Sequence, residues 1–501
     1  MGVRTALLVL SPRGLPDAAK NLLLWRRVQR DPGALAIWNE YFDAGEYLQR
    51  HSDVAGKGVD PLLHFLLRGN REYRDPSPRF RMRSYLVRYP EVADARVNAL
   101  LHFVLFGKRE GRIGLPVFSP GSGTGPWINL PAEPDAAPGF LVALPFVTLG
   151  GGAEKLFRTL AQRMVDRGWR VVVITTLTLP ESMPDDSESF AKITPHVYRL
   201  STLFPSEEVQ YAFLWHLIRR YSIGTVMLAG CEFVYHALPQ LKQDFPDLLV
   251  VDQLFNDSAH VCNNRHYSEQ IDATIVPSEL LRASLAERRN DASSIHVIPH
   301  GIEMPEESDE PASELPPAAR GKIVVGYFGR FSIEKGPDLF VDIVRRLAAN
   351  PHLFFVMAGA GPEFDRVLRQ IRKHRLQERI YTPGFVVPVT PLMRAADIVV
   401  LPSRIDGMPQ VVLEAQAMGK PVVASRVGSL PLMIEDEKTG FLCEIGDLDA
   451  FSKQILKLAG DKDLRDRMKI AAQESIRMKF SADRMLESYE RVFRTVSSTT
   501  K

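Results

Sequence analysis

Beyond residue 139 the chain alternates short apolar runs with longer amphipathic stretches. FLVALPF (140–146) and RVVVITT (170–176) have the length and apolar content of buried strands. The stretch between them, GGAEKLFRTLAQRMVDRG (151–168), has helical spacing and stops on a glycine. TVMLAG, LLVVDQL, ATIVPS and IHVIPH continue the strands to residue 300. KIVVGYFG (322–329) opens a second series, followed by LFFVMAG, RIYTPG, DIVVLPS and PVVAS. Such alternation predicts α/β architecture with parallel, doubly wound sheets, here in two Rossmann-like halves. SADRMLESYERVFRTV (481–496) reads as a closing amphipathic helix.

The pattern before residue 139 is different. FDAGEYLQRHSDVAGKGVDPLLHFLLRGNRE, from Phe42, aligns without a gap on FRMRSYLVRYPEVADARVNALLHFVLFGKRE, from Phe80, at an offset of 38 residues. Tyr47 falls on Tyr85, Val54 on Val92, His64 on His102, Gly69 on Gly107 and Glu72 on Glu110. A period of this length predicts stacked supersecondary units, each read as two short helices. His64 and His102 recur in step with no acidic or second histidine ligand beside them, so they read as structural residues rather than metal ligands. Pro- and Gly-rich residues 114–139 and acidic, Pro-rich residues 303–321 read as linkers. The expected division is a helical repeat module over 1–125, an N-terminal Rossmann-like domain over 126–302 and a C-terminal one over 303–501. The last helix is a candidate to cross back to the N-terminal domain. Two such halves leave a cleft, the default site, at the carboxyl ends of their strands.

Composition narrows the partners. The chain has 501 residues and a formal net charge of +2, which gives no case for nucleic acid. Its three cysteines, Cys231, Cys262 and Cys443, lack CxxC spacing and suggest neither a disulfide framework nor a zinc site. The early apolar run at 6–10 is too short to span a bilayer. The expectation is a cytoplasmic protein, with docking on the inner membrane or in a complex left open.

Two segments carry candidate chemistry. In SRIDGMPQVVLEAQAMGKPVV (403–423), Asp406 and Glu414 flank a helix start expected at Pro409, with the helix ending near Met418 and Gly419 capping it. A helix N-terminus with two acids suits a ligand that mixes phosphate with hydroxyls. In YFGRFSIEKGPDLF (327–340), Arg330 and Lys335 flank a strand–turn–helix, and Gly336 permits close backbone approach. Two cations there could hold a diphosphate. At ~4 Å and an effective dielectric near ~20, each charge pair is worth about 4 kcal/mol, an upper-end thousandfold effect on departure of a phosphate leaving group. The glycines of LGGGAEK do not make a Walker loop, AGAGPE is not GxGxxG, and neither GxSxG nor HExxH occurs.

Taken together and in order, GGAEK (151–155), VIPHGIE (297–303), Arg330–Lys335–Gly336, MAGAGPE (357–363), Gly384–Phe385 and the acid-x7-Glu of Asp406 and Glu414 resemble the retaining glycosyltransferases of family 4, which have the GT-B fold. The resemblance covers roughly residues 138–496. The repeats resemble modules attached to bacterial polysaccharide glycosyltransferases. The resemblance implies that Arg330 and Lys335 bind the donor diphosphate and that Glu414 holds the ribose. Asp406, with the backbone of Gly407, Met408 and Pro409, would meet the transferred sugar. Gly151, Gly152, Gly329 and Gly361 would let backbone approach the donor. No metal and no cofactor are implied. The partners would be a nucleotide-diphosphate sugar and a glycan or lipid-linked acceptor, with the repeats mediating oligomerisation or acceptor docking.

Two departures stand out. The family usually has Glu where this chain has Asp406. Its usual histidine at the end of a first-domain strand is replaced by Phe255–Asn256–Asp257, with His260 a few residues on. His260 reads either as an ordinary loop histidine or as a stand-in that contacts the donor sugar. The alternatives to a glycosyltransferase are a GT-B epimerase or phosphorylase, and a non-catalytic sugar-binding scaffold.

Overall fold

The computed structural model describes residues 17–55, 58–69, 72, 74–115, 137–149, 151–179, 185–204, 206–256, 260–287, 293–305 and 315–499. The first sheet comprises β1 (Gly139–Leu144), β2 (Arg170–Thr175), β3 (Val197–Arg199), β4 (Ile223–Leu228), β5 (Leu249–Gln253), β6 (Ala273–Val276) and β7 (Ile295–Val297). These seven strands lie in the order β3-β2-β1-β4-β5-β6-β7. The second sheet comprises β8 (Ile323–Phe328), β9 (Leu353–Ala358), β10 (Ile380–Gly384), β11 (Ile398–Leu401), β12 (Val422–Ser425) and β13 (Gly440–Cys443), in the order β10-β9-β8-β11-β12-β13. Every pairing is parallel. The two domains have the doubly wound GT-B arrangement, and strand order reverses between β1 and β4 and between β8 and β11. Ligands of open α/β sheets bind outside the carboxyl ends of strands at such reversals.

Side-chain alternation explains why the strand sequences are mostly apolar. Leu141 and Ala143 of β1 enter the core on one face with Leu214 and Leu238, while Phe140, Val142 and Leu144 enter the other with Phe157 and Leu160. A strand covered on both faces needs apolar residues at nearly every position. The edge strand β3 is only three residues long and partly exposed, so its sequence carried no such signal.

The closing helix, Ala482–Thr499, lies on the first domain although it follows the second in sequence. Met485, Leu486, Tyr489, Val492 and Phe493 complete the core around Phe140 and Val142. The Tyr489 hydroxyl donates to Gln253 Oε1 at 2.6 Å. Where the chain crosses back, Ile302 N donates to the Phe480 carbonyl (2.8 Å) and Ala482 N to the Ile302 carbonyl (3.0 Å).

The repeat units share several internal contacts. Tyr47 hydroxyl meets His64 Nδ1 at 3.0 Å, and Tyr85 hydroxyl meets His102 Nδ1 at 2.9 Å. Asp60 accepts from Leu63 N at the start of helix Pro61–Arg68, and Asn98 accepts from Leu100 N at the start of Ala99–His102. Arg74 pairs with Glu72 as Arg112 pairs with Glu110. Each unit has three helical segments rather than the expected two. Ala44–Arg50, Ser52–Ala55 and Pro61–Arg68 form the first unit, and Met82–Arg88, Pro90–Asp94 and Ala99–His102 the second. The extra turn follows directly on the first helix, at Ser52 and at Pro90, where proline favours a new helical start. Among the described residues no helix is long and apolar enough to cross a membrane.

Candidate active site

The loop after β11 positions Asp406. Its side chain is buried, with Oδ1 accepting from Lys335 Nζ at 2.6 Å and Oδ2 from Ser403 Oγ at 3.0 Å. The helix that follows is Gln410–Ala417. Pro409 is its N-cap in extended conformation (φ −69°, ψ 118°), so the helix begins one residue later than expected. The far end is as the glycine signalled. Gly419 (φ +70°) donates to the Gln416 carbonyl at 2.9 Å and Lys420 N to that of Ala415 at 2.8 Å, the two bonds of a Schellman cap. Gly407 is a close approach of the domains, since a Cβ there would lie 2.6 Å from the Phe255 carbonyl oxygen across the cleft.

The turn after β8 supplies the cations. Gly336 takes φ +63°, and a Cβ there would run into the Pro402 carbonyl, so this turn packs against the Asp406 loop. That packing brings Lys335 to Asp406. Arg330, placed with Lys335 as a partner for phosphate, is instead largely exposed and pairs with Glu334 of its own turn at 2.7 Å. Arg404 ties the same turn down through a bidentate pair with Asp338 (2.8 and 2.7 Å). Gly361 packs against the backbone of Phe331 and Gly359 against that of Gly329, and Phe331 N donates to the Ala360 carbonyl and Glu363 N to that of Phe331, each at 2.8 Å.

The first domain faces these groups with the start of helix Gly152–Asp166, whose N-cap is Gly151. Gly152 lies opposite Gln410, whose Cγ would be 3.6 Å from a Cβ at that glycine. Lys155 reaches across and donates to Glu414 Oε1 at 2.5 Å. Each cleft acid is thus matched to a lysine, Asp406 within its own domain and Glu414 from the other. At partly exposed sites such pairs are modest in stability but strongly set orientation.

Behind them lies a cavity of about 200 Å³ at the carboxyl ends of β1, β4 and β5, lined among others by Glu154, Gly230, Gln253, Asn256 and His260. Glu154 Oε1 accepts from Thr148 Oγ1 at 2.7 Å. His260 stands at the N-cap of helix Val261–His266 in a left-handed conformation, φ +63°. Burial lowers its proton affinity, Glu232 raises it and Arg50 lowers it, with a net downward shift. Asp257 lies outside the described residues. His300, in the VIPHGIE turn, is buried, with Nδ1 3.2 Å from the Met408 carbonyl, and burial takes its pKa down to about 4.

The structure therefore brings together Lys335 with Asp406, Lys155 with Glu414, Gly152 with Gln410, and, around one cavity, His260 with Glu154. It leaves Arg330 on the rim. Lys155, Glu154 and His300 had no role in the sequence reading. The first two sit inside the quoted GGAEK, at the third and fourth positions of the helix, where side chains lie over its N-terminus.

Family comparisons agree with this geometry. Residues 150–304 match the family model "Glycosyltransferase Family 4" and residues 310–475 match "Glycosyl transferases group 1". N-acetyl-alpha-D-glucosaminyl L-malate synthase of Bacillus anthracis is 31% identical over 154 residues, 31% of this chain and 39% of the relative. UDP-Gal:alpha-D-GlcNAc-diphosphoundecaprenol alpha-1,3-galactosyltransferase of Escherichia coli is 28% identical over 185 residues, 35% of this chain and 47% of the relative. The chain thus spans less than half the length of both. The lipopolysaccharide core biosynthesis glycosyltransferase LpsE of Rhizobium meliloti (strain 1021) is 24% identical over 351 residues, 68% of this chain and 94% of the relative. Among solved structures, Anabaena HepE in complex with UDP superposes with a TM-score of 0.57 at 18% identity, covering 72% of this chain and 100% of that one. Sucrose-phosphate synthase from Thermosynechococcus elongatus gives 0.58 at 20%, with the same coverage. Those two likenesses are of fold. Two Rossmann-like sheets across a cleft give the chain the GT-B fold, and a glycosyltransferase family model matches each of its two halves.

Proposed function

We propose that this protein is a retaining hexosyltransferase that moves a sugar from a nucleoside-diphosphate donor to a glycan or lipid-linked acceptor, in the synthesis of a bacterial surface polysaccharide at the cytoplasmic side of the inner membrane. The observation that carries the reading is the double pairing in the cleft, Lys335 with Asp406 and Lys155 with Glu414. Each carboxylate is an acceptor suited to sugar hydroxyls, and each lysine a point charge suited to phosphate oxygen. Donor ribose hydroxyls would take Glu414 in place of Lys155. The diphosphate would lie between Lys335, the start of helix Gln410–Ala417 and Arg330 swung in from the rim. The acceptor oxygen then bonds to the anomeric carbon while the bond from that carbon to phosphate oxygen breaks, and the nucleoside diphosphate leaves with the electron pair and takes up the acceptor hydroxyl's proton on its phosphate oxygen. The cations and helix end offset the charge on that leaving group, so the reading needs no metal. The names of LpsE and of the undecaprenol-linked galactosyltransferase support the surface-glycan role.

The test is calorimetry and thermal shift with UDP-, GDP-, ADP- and TDP-sugars, on the unchanged chain and on Lys335→Ala and Glu414→Gln. One donor should bind, and each substitution should weaken it by about tenfold or more. The anomeric coupling of the product, read by proton NMR with EDTA present, should match that of the donor. Failure of every nucleotide sugar to bind, or binding indifferent to both substitutions, overturns the proposal.

A further inference from the structure

The repeat module is bonded into the wall of the cleft. Arg50 closes the first helix of the first repeat unit, and its side chain is wholly buried. Nη1 donates to Asn263 Oδ1 and Nη2 to Glu232 Oε1, both at 2.6 Å. Asn263 belongs to helix Val261–His266, and its Nδ2 lies 3.5 Å from His260 Nδ1. Glu232 begins the helix Glu232–Asp244, two residues after Gly230. A Cβ on Gly230 would lie 2.7 Å from His260 Nε2, and both residues line the cavity. One guanidinium therefore grips the two elements between which the His260 ring is held. The second unit's equivalent, Arg88, contacts the Leu115 carbonyl and the exposed Glu208 instead.

We propose, on the reading of the cavity as part of the sugar-transfer site, that Arg50 is a positioning residue for His260. The module is then a structural wall of the active site, which holds His260 toward the bound sugar through Asn263 and Glu232.

A buried fork of this kind is hard to replace. Glu232 also meets Arg81 at 3.3 Å, and Arg81 in turn holds Asp75 (2.8 Å) and Glu207 (2.9 Å), so two guanidiniums and three carboxylates form one connected network at the interface. Burial raises the proton affinity of Glu232, but Arg50 and Arg81 outweigh it and keep the carboxylate ionised. The charged and titratable groups facing His260 are Glu232 and Tyr235 on one helix, Cys262 on its own, Glu154 across the cavity and Arg50 from the module. Of these Arg50 disfavours and Glu232 favours protonation of His260. Removing Arg50 leaves Glu232 acting more strongly on the ring, so His260 should take up its proton at higher pH. Arg50→Lys keeps the charge and loses the fork.

The experiment compares the full chain with Arg50→Met, Arg50→Lys, Asn263→Ala and Arg88→Met. It reads the His260 ring titration by NMR and kcat and KM against pH with the donor identified above. The His260 titration should rise by about half a unit or more in Arg50→Met and stay in place in Arg50→Lys. Transfer should fall by about tenfold or more in Arg50→Met, Arg50→Lys and Asn263→Ala, carried by kcat, and remain unchanged in Arg88→Met. The acid limb of the kcat profile should move up only in Arg50→Met. Should Arg50→Met not fold, Asn263→Ala decides, since it severs the link to His260 and leaves the Arg50–Glu232 pair. A His260 titration indifferent to Arg50→Met, or wild-type transfer in Asn263→Ala, overturns the proposal. The NMR arm needs no turnover, so it judges Arg50 even if no donor is found.

Discussion

Asp406 shows what a single methylene decides. It is buried, and both its oxygens are occupied, by Lys335 Nζ at 2.6 Å and Ser403 Oγ at 3.0 Å. A glutamate would have to push that lysine toward the cleft or buckle the loop, and overpacking of this kind costs about 1–3 kcal/mol. Asp406→Glu is therefore expected to lower transfer by about tenfold or more. A gain in activity would mean that the site has decayed from a glutamate ancestor. Both acids were legible from their spacing, and so was the cation-bearing turn. The lysine partners were not, because Lys335 and Asp406 are 71 residues apart and Lys155 and Glu414 are 259 apart, and no local pattern reports such a meeting. The repeat histidines were read as structural, and each does meet its repeat tyrosine. His102 adds a pH effect. Burial first, and Arg112 next, take its pKa down from 6.5 to about 4. Its ring stays neutral in the folded chain while the unfolded chain protonates it. Its contribution is complete above pH 6.5 and drains away as pH falls to about 4, at about 1.4 kcal/mol per unit. His102→Gln should flatten the fall in melting temperature between pH 6.5 and 4.5, as measured by circular dichroism.

At the level of elements, the buried strands were readable because two-sided burial makes them near-continuous apolar runs, with few polar exceptions such as Asp252 and Gln253 at the end of β5. Strands β3 and β13 were missed because each is only three or four residues long. VYR is short and half exposed, and GFLC follows a polar turn with little apolar length of its own. Helix starts were readable to within one residue, as Pro409 shows. The helix-to-helix docking at the cleft was not. Gly407 is one place where that docking leaves no room for a side chain. In Gly407→Ala the new methyl would press on the Phe255 carbonyl of the other domain, while both sheets remain intact. The expected result is a melting temperature within a few degrees of the unchanged chain and a donor dissociation constant raised by about tenfold, read by calorimetry. A large loss of stability with normal donor affinity would show that the contact serves folding instead.

For the molecule as a whole, sequence adjacency misleads about which parts stabilise one another. The last helix follows the second domain and yet fills the first, with Leu486 and Tyr489 fully buried against it. A chain ending at Ser481 should expose the apolar face of β1, so its first domain should become sensitive to protease while the second stays resistant. Equal resistance of both domains would show that the helix contributes little. The same crossing has a mechanical consequence. The polypeptide passes between the lobes once after Ile302 and again before Ala482, and the two passages are bonded to each other at that point. Two joined straps at one edge behave like paired pins on a door. They permit the lobes to swing about a line through Ile302 and Ala482 and resist any rotation of one lobe around the other's long axis, so whatever breathing admits a donor should trace a single arc.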